Sequence, residues 1–433
     1  MNRIALNGNN NLEVINYNMN PLNYNCKDIE DYFMNWDQMY PKSYDKLKVS
    51  PWTKVRIILM NGTEFESNWF LHQFARHTAD ADLKRDLALV RRQEQQQQKR
   101  ISMLKPIDES LLEETIGYEQ LAIELTAILA QNEDNIENKK ALDFALLEDF
   151  DHLYRFANLL KMDYGIDASV MVNKHTEIMP GRPTISEHRH PYDSIRKPMC
   201  NKEASDYSKL VVGIITAAEQ QTMNFYMNMA QMYKNDLGRR LFSEIGMIEE
   251  QHVSQYESLK DPNVSWFECW VMHEYTECYL YYSMLMQETD EEIKKIWEEH
   301  FEMEVAHLKL ATSYLEKYTD KKVTDLFNNL EFPKLLIFGE NKDYIRNIIE
   351  HTVYNTAHLD EYININELED VSRFKFYQDT VHDCDKCVAS HNVIEQAIAL
   401  FNSDFRYQDK NHPINALNIT DIDNISVGRE INV

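Results

Sequence analysis

From about Asp108 to Tyr318 apolar residues recur every three or four positions over long stretches with few helix breakers. That period predicts helices near 109–130, 139–161, 204–234, 238–260, 264–288 and 291–318. They fall into three pairs with short internal connections, which makes three antiparallel hairpins. A crossover at about 162–203, with Pro180, Gly181, Pro183 and Pro191, separates the first two hairpins; Asp261-Pro262-Asn263 separates the last two. Upstream, Ser50-Pro51 reads as an N-cap with proline at the first helical position, and Asn61-Gly62 as a stop. Thr63-x-x-Glu66 reads as a capping box opening a further helix, in which His72 and His77 are ordinary helix residues. A polar helix over Asp80–Met103, with the run Arg91-Arg92-Gln93-Glu94-Gln95-Gln96-Gln97-Gln98, reads as a solvated or partner-facing surface. Residues 1–48 show no sustained period and read as an irregular arm; Asp404–Val433 read as loosely structured. The expected organisation is an all-α fold with an N-terminal arm and helices (1–104), a helical domain (105–319) and a helical and loop extension (320–433).

Composition supports this class. Only 10 Gly and 11 Pro occur in 433 residues, 43% of which are apolar. The net charge of −26 disfavours nucleic acid and anionic membranes as partners and attracts cations. Apolar runs such as Leu210–Ala218 are too short to span a bilayer, and the opening residues Met1–Asn10 do not read as a secretory leader. The six cysteines are too sparse for a disulfide framework, so a cytoplasmic location is expected. Cys384-x-x-Cys387 has no second pair to complete a zinc or rubredoxin-type site and reads as a solvated turn.

The chemistry-bearing pattern is a repeat. The second helix of each hairpin carries an acid-x-x-His: Asp149 with His152, Glu249 with His252, and Glu304 with His307. Thirty residues before each acid, on the first helix, stands a glutamate: Glu119, Glu219 and Glu274 respectively. An acid and a histidine at i, i+3 share one helical face, and a hairpin returns the upstream glutamate to the same level. That face is apolar, with Phe242, Ile245, Tyr256 and Leu259 around the second pair, and Trp297, Phe301, Leu310 and Tyr314 around the third. Buried carboxylates need protons, partners or a metal, and oxygen donors with imidazole suit Fe or Mn. In the first copy Asp149 stands where the others have Glu, with Glu148 as a substitute at i, i+4 from His152.

On these residues the chain resembles the ferritin-like di-iron carboxylate superfamily, rubrerythrin-type proteins most, over about Glu113–Leu315. The resemblance implies a four-helix bundle holding two metal ions (two Fe, Fe with Mn, or two Mn), bridged by carboxylates of the acid-x-x-His helices. Glu274-x-x-Glu277 resembles the pair through which rubrerythrins add an extra, mobile ligand. A third half-site and the lack of a rubredoxin-like module depart from that family.

Two half-sites make one site. Only the long crossover can span a bundle, so hairpins one and two are the expected pair, giving Glu119, Asp149, His152, Glu219, Glu249 and His252. Hairpin three, with Glu274, Glu304, His307 and the possible extra ligand Glu277, is left to pair with a copy across a homodimer axis, to replace hairpin two, or to stay metal-free. Glu187-His188-Arg189-His190 reads as an exposed polar loop, and Cys278, Tyr226, Tyr256, Tyr281 and Tyr314 as core. The expected function is a di-iron oxidoreductase that reacts with peroxide or O2, using electrons from an external donor. Its rivals are a substrate oxygenase or oxidase on the same scaffold, a non-enzymatic iron-binding or storage protein, and a metal-free interaction protein.

Overall fold

Among the described residues four long helical hairpins are present, not three. The computed structural model describes residues 19–369, 371–382 and 388–402. Cys384, Cys387 and the Asp404–Val433 tail lie outside the described residues. The hairpins are α1 (Pro51–Arg76) with α2 (Ala81–Ser102), and α3 (Leu111–Asn132) with α4 (Ile136–Tyr164). The crossover follows and holds two single-turn helices, α5 (Ala168–Met171) and α6 (Thr184–Glu187). Then come α7 (Asp206–Ala230) with α8 (Asp236–Ser258), and α9 (Trp266–Gln287) with α10 (Glu291–Tyr318). Beyond them lie α11 (Lys342–Thr352), the antiparallel ribbon β1 (Asn355–His358) and β2 (Glu361–Asn364), α12 (Ser372–Val381) and α13 (Ala389–Phe401). This two-stranded ribbon is a small addition to an otherwise helical structure. Among the described residues no helix is long and apolar enough to cross a membrane.

The hairpins pair in a nested order. The inner group is α3, α4, α7 and α8; the outer group is α1, α2, α9 and α10. The groups meet mainly through α1, which packs on α3 and α7. The boundary expected near residue 104 therefore falls between two hairpins packed on one another.

Local chemistry explains where the helices run. Ser50 Oγ accepts from Trp52 N–H at 3.2 Å and Pro51 sits at N1, as the cap pattern predicts. The expected stop at Asn61-Gly62 does not occur: α1 continues to Arg76. Gly62 is there for close approach, since a Cβ would stand 2.6 Å from Gln221 Nε2 on α7. Gln221 donates to the Ile58 carbonyl at 3.0 Å and accepts from Asn61 Nδ2 at 2.6 Å, so packing overrides a local turn signal.

The glutamine-rich helix is also not a free surface. Leu83, Leu87, Val90, Gln93, Glu94, Gln97 and Ile101 form one buried face of α2. Gln96 exchanges two hydrogen bonds with the backbone of Met34, and Gln93 donates to the Ile29 carbonyl at 2.6 Å. These amides fasten the arm against α2. On α10, Lys309 Nζ donates to the Tyr24 carbonyl at 2.6 Å, and Tyr24 packs edge-on against Phe301.

Candidate metal centres

In the inner group all six expected residues converge. Asp149, Glu219, Glu249 and His252 place ligand atoms within 4.8 Å of one another, and Glu119, His152 and Glu249 do the same. Glu249 belongs to both sets, so the cluster divides into two adjoining positions with one shared carboxylate. All six side chains are buried. His252 Nδ1 faces the acids, 3.2 Å from Glu249 Oε2, 3.4 Å from Asp149 Oδ1 and 3.6 Å from Glu219 Oε2. His152 Nδ1 lies 3.0 Å from Glu249 Oε1. The Tyr226 hydroxyl donates to Glu119 Oε1.

Glu148 is not a substitute for Asp149. Its carboxylate lies behind the cluster, 2.7 Å from His252 Nε2, and accepts from Arg189 Nη1 at 2.9 and 3.1 Å. A carboxylate on the far nitrogen fixes the tautomer and leaves Nδ1 free to ligate. Burial alone would raise the Glu148 carboxyl, but the charge of Arg189 and the bond to His252 hold it below the usual range. Arg189 belongs to the stretch expected to be an exposed loop, yet Glu187, His188 and Arg189 are buried. Gly181 seats the crossover on α4: its N–H donates to Asp151 Oδ1 at 3.1 Å, and a Cβ would stand 2.3 Å from the Leu147 carbonyl.

The outer group holds a second cluster. Glu94, Glu274, Glu304 and His307 place ligand atoms within 4.8 Å of one another, and so do Glu64, Glu94 and Glu277. His307 Nδ1 lies 3.0 Å from Glu94 Oε1, 3.1 Å from Glu304 Oε2 and 3.8 Å from Glu274 Oε2. The third half-site thus finds its partner in α1 and α2 of the same chain, and supplies no argument for a two-fold copy.

Glu64, Glu94 and Gln97 are the residues that reading for acid-x-x-His misses. The signal was present: Glu64 stands thirty residues before Glu94, with Gln97 where the others have histidine. The correspondence runs further, each partner lying 55 residues on: Glu64 and Glu119, Gln93 and Glu148, Glu94 and Asp149, Gln97 and His152. From α7–α8 to α9–α10 the same spacing relates Glu219 and Glu274, Tyr226 and Tyr281, Glu249 and Glu304, His252 and His307. Contacts follow suit. The Tyr281 hydroxyl donates to Glu64, as Tyr226 does to Glu119, and Gln93 Oε1 stands 2.8 Å from His307 Nε2, as Glu148 does from His252.

Of the remaining singled-out residues, Tyr256 is buried with no hydrogen-bond partner on its hydroxyl, and Tyr314 donates to Asp86 at 2.6 Å. Cys278 is a buried free thiol on α9. His77 stacks on Trp266, and His72 lies on α1 outside both clusters.

Electrostatics decide what such clusters require. Burial, then the charges of Glu249 and neighbouring acids, pushes Glu119 well above the usual carboxylate range; burial and Glu219 do the same to Asp149. Glu219 is raised to about 7, chiefly by burial. Burial would raise Glu249 too, but His152 and His252 hold it low. In the outer cluster burial and neighbouring acids push Glu64, Glu274 and Glu277 far up, and raise Glu304. So many buried carboxylates cannot all ionise without added positive charge. Both oxygens of Asp149 and of Glu219, one oxygen of Glu119 and Nε2 of His152 lack hydrogen-bond partners. Buried, unpartnered oxygen and imidazole donors converging on two adjoining points fit a pair of metal ions. Comparison with protein-family models, curated proteins and solved structures gives no match.

Proposed function

We propose that the inner cluster is the metal centre of a ferritin-like di-iron oxidoreductase that reduces peroxide or O2 with electrons from an external donor. The observation that carries this reading is the donor set: four carboxylates and two histidines, buried, with Glu249 common to two positions. When bound, a pair of redox-active ions supplies the two electrons that such a reduction consumes. The chain supplies the rest. Glu119, Asp149, Glu219 and Glu249 offset the positive charge, His152 and His252 set the donor geometry, and Glu148 with Arg189 holds His252 in one orientation. Tyr226, bonded to Glu119, places a phenolic proton beside the cluster.

Loading the full chain anaerobically with Fe²⁺ and following its oxidation by stopped-flow absorbance tests the proposal. The expected result is two inner-cluster ions, lost on His252→Ala with helical circular dichroism retained, and faster oxidation by hydrogen peroxide than by O2 at equal concentration. Unchanged iron content in His252→Ala would sink the reading. Oxidation of an organic substrate is the rival reading, and the cavity of about 430 Å³ does not favour it at this centre, because it is lined by Glu277 of the outer cluster and by none of the six inner donors. No oxidation until an organic molecule is added would select that reading.

A further inference from the structure

The two clusters correspond position by position, and two of the places at which they differ compensate each other. Gln97 stands in the outer group where the inner group has His152, which removes one imidazole. Its amide instead donates to Glu304. On a different helix, Glu277 stands where the inner group has Thr222. Thr222 turns its hydroxyl back to the Ala218 carbonyl, at 3.0 Å on its own helix, whereas Glu277 joins Glu64 and Glu94. One donor is lost from α2 and another is gained from α9, at the same end of the cluster.

We propose that the outer cluster is a second two-metal centre, selective for oxygen-preferring divalent ions such as Mn²⁺, in which Glu277 replaces the histidine donor of the inner one. Its donors are five carboxylates and one imidazole, a set that suits harder ions than the four-carboxylate, two-histidine set does. Glu277 itself points to a ligand. It is fully buried, neither of its oxygens has a hydrogen-bond partner, and His273 Nε2 stands 3.7 Å from Oε2. A buried carboxylate without a partner is strongly unfavourable, so an acid added to an already acidic cluster marks a cation, not a decayed site. Glu277, His273 and Glu66 also line the 430 Å³ cavity, which gives ions a route to this cluster. The proposal stands independently of the reaction assigned to the inner cluster.

The test strips the full chain with a chelator and titrates it with Mn²⁺ at about 0.5 M salt, where exposed carboxylates are screened. Bound and free Mn²⁺ are counted by electron paramagnetic resonance, with Glu277→Gln, Glu64→Gln and His252→Ala run alongside. Glu277→Gln and Glu64→Gln are expected to lose at least one bound ion, or to weaken a class of ions at least tenfold; His252→Ala leaves that class intact. A Mn²⁺ count and affinity unchanged in both Glu variants overturns the proposal. Loss of that class in the Glu variants, with no ions sensitive to His252, would support this centre while sinking the inner one. Gln97→His guards against misfolding of the Glu variants. It is expected to retain every ion and to shift the outer class toward Zn²⁺ or Fe²⁺ at least tenfold relative to Mn²⁺; no shift overturns the proposal.

Discussion

Glu148 offers the most exacting check on the inner cluster, because it touches no proposed ion and yet faces both His252 and the crossover. In Glu148→Gln the side chain keeps its size and one acceptor but loses its charge. Two buried guanidiniums then face a neutral amide: Arg189, with Nη1 2.9 Å from Glu148, and Arg182, with Nε at 3.7 Å. Breaking a buried ion pair costs about 3–5 kcal/mol, and a retained hydrogen bond recovers about 1 kcal/mol. Arg189 also donates to Ser194 Oγ and the Glu187 carbonyl, and Arg182 to the Phe144 and Thr352 carbonyls. Neither is left stranded, so a loss of about 2 kcal/mol is expected for the metal-free protein, read by urea denaturation. Metal binding falls as well: removing a carboxylate behind a ligating histidine costs about 10–100-fold in affinity, or about 1.4–2.7 kcal/mol. Chelator competition against the metal-loaded protein measures this second quantity, and the outer cluster should not change. If metal-free stability drops as expected while affinity stays within threefold, Glu148 only anchors the crossover, and its role in orienting His252 is refuted.

Further expectations concern other parts of the molecule. Glu124 is raised to about 7 from 4.5, chiefly by burial, although Thr176 and Asn341 donate to it at 2.6 and 2.7 Å. The folded state keeps a proton the unfolded state releases, so this contribution is fully present below pH 4.5 and is lost as pH rises to about 7, by about 3 kcal/mol. Glu124→Gln should flatten that part of the curve and gain about 2 kcal/mol at pH 8, after about 1 kcal/mol for one lost hydrogen bond; an unchanged slope in urea melts between pH 5 and 8 would count against it. Gly181→Ala should destabilise by about 1–3 kcal/mol, because its Cβ meets backbone atoms of Leu147 and Asp151 that cannot move aside, and thermal melting reads this directly. Removing metal with a chelator should lower the melting temperature, by about 2.7 kcal/mol per site when free ion had stood at 100 times Kd; coincident melting curves would argue that protons, not metals, satisfy the clusters.

The six helices of the last three hairpins, and the inner cluster with them, were legible because each signal is local. An apolar stripe, a cap and an acid one turn from a histidine all lie within one helix, and the long crossover restricts which hairpins can pair. Glu274, Glu277, Glu304 and His307 of the outer cluster were legible in the same way, whereas its α1–α2 half was hidden by polar residues buried against other polar groups. Gln93, Glu94 and Gln97 on α2 face carboxylates, an imidazole and the backbone of the arm, so hydrophobic periodicity registers them as solvent-facing. Asn61-Gly62 misled for a related reason: the glycine answers to Gln221, 159 residues further along, rather than to a turn. The burial of Arg189 likewise depends on Glu148, whose charge reaches it only once the crossover has folded back.

The nested order of the hairpins has a consequence for synthesis. A ribosome delivers the whole inner cluster by the time His252 emerges, whereas Glu64 and Glu94 are made first and must wait for Glu274 through His307. Closing the outer group joins the earliest helices to the latest, the most distant pairing among the four hairpins and hence the slowest kind of contact to form. During that interval α1 can already lean on α3 and α7, while Glu94 of α2 has Glu64 of α1 beside it and still lacks His307. The chain therefore delivers the donors of its two clusters in sequence, those of the inner one complete at His252 and those of the outer one at His307.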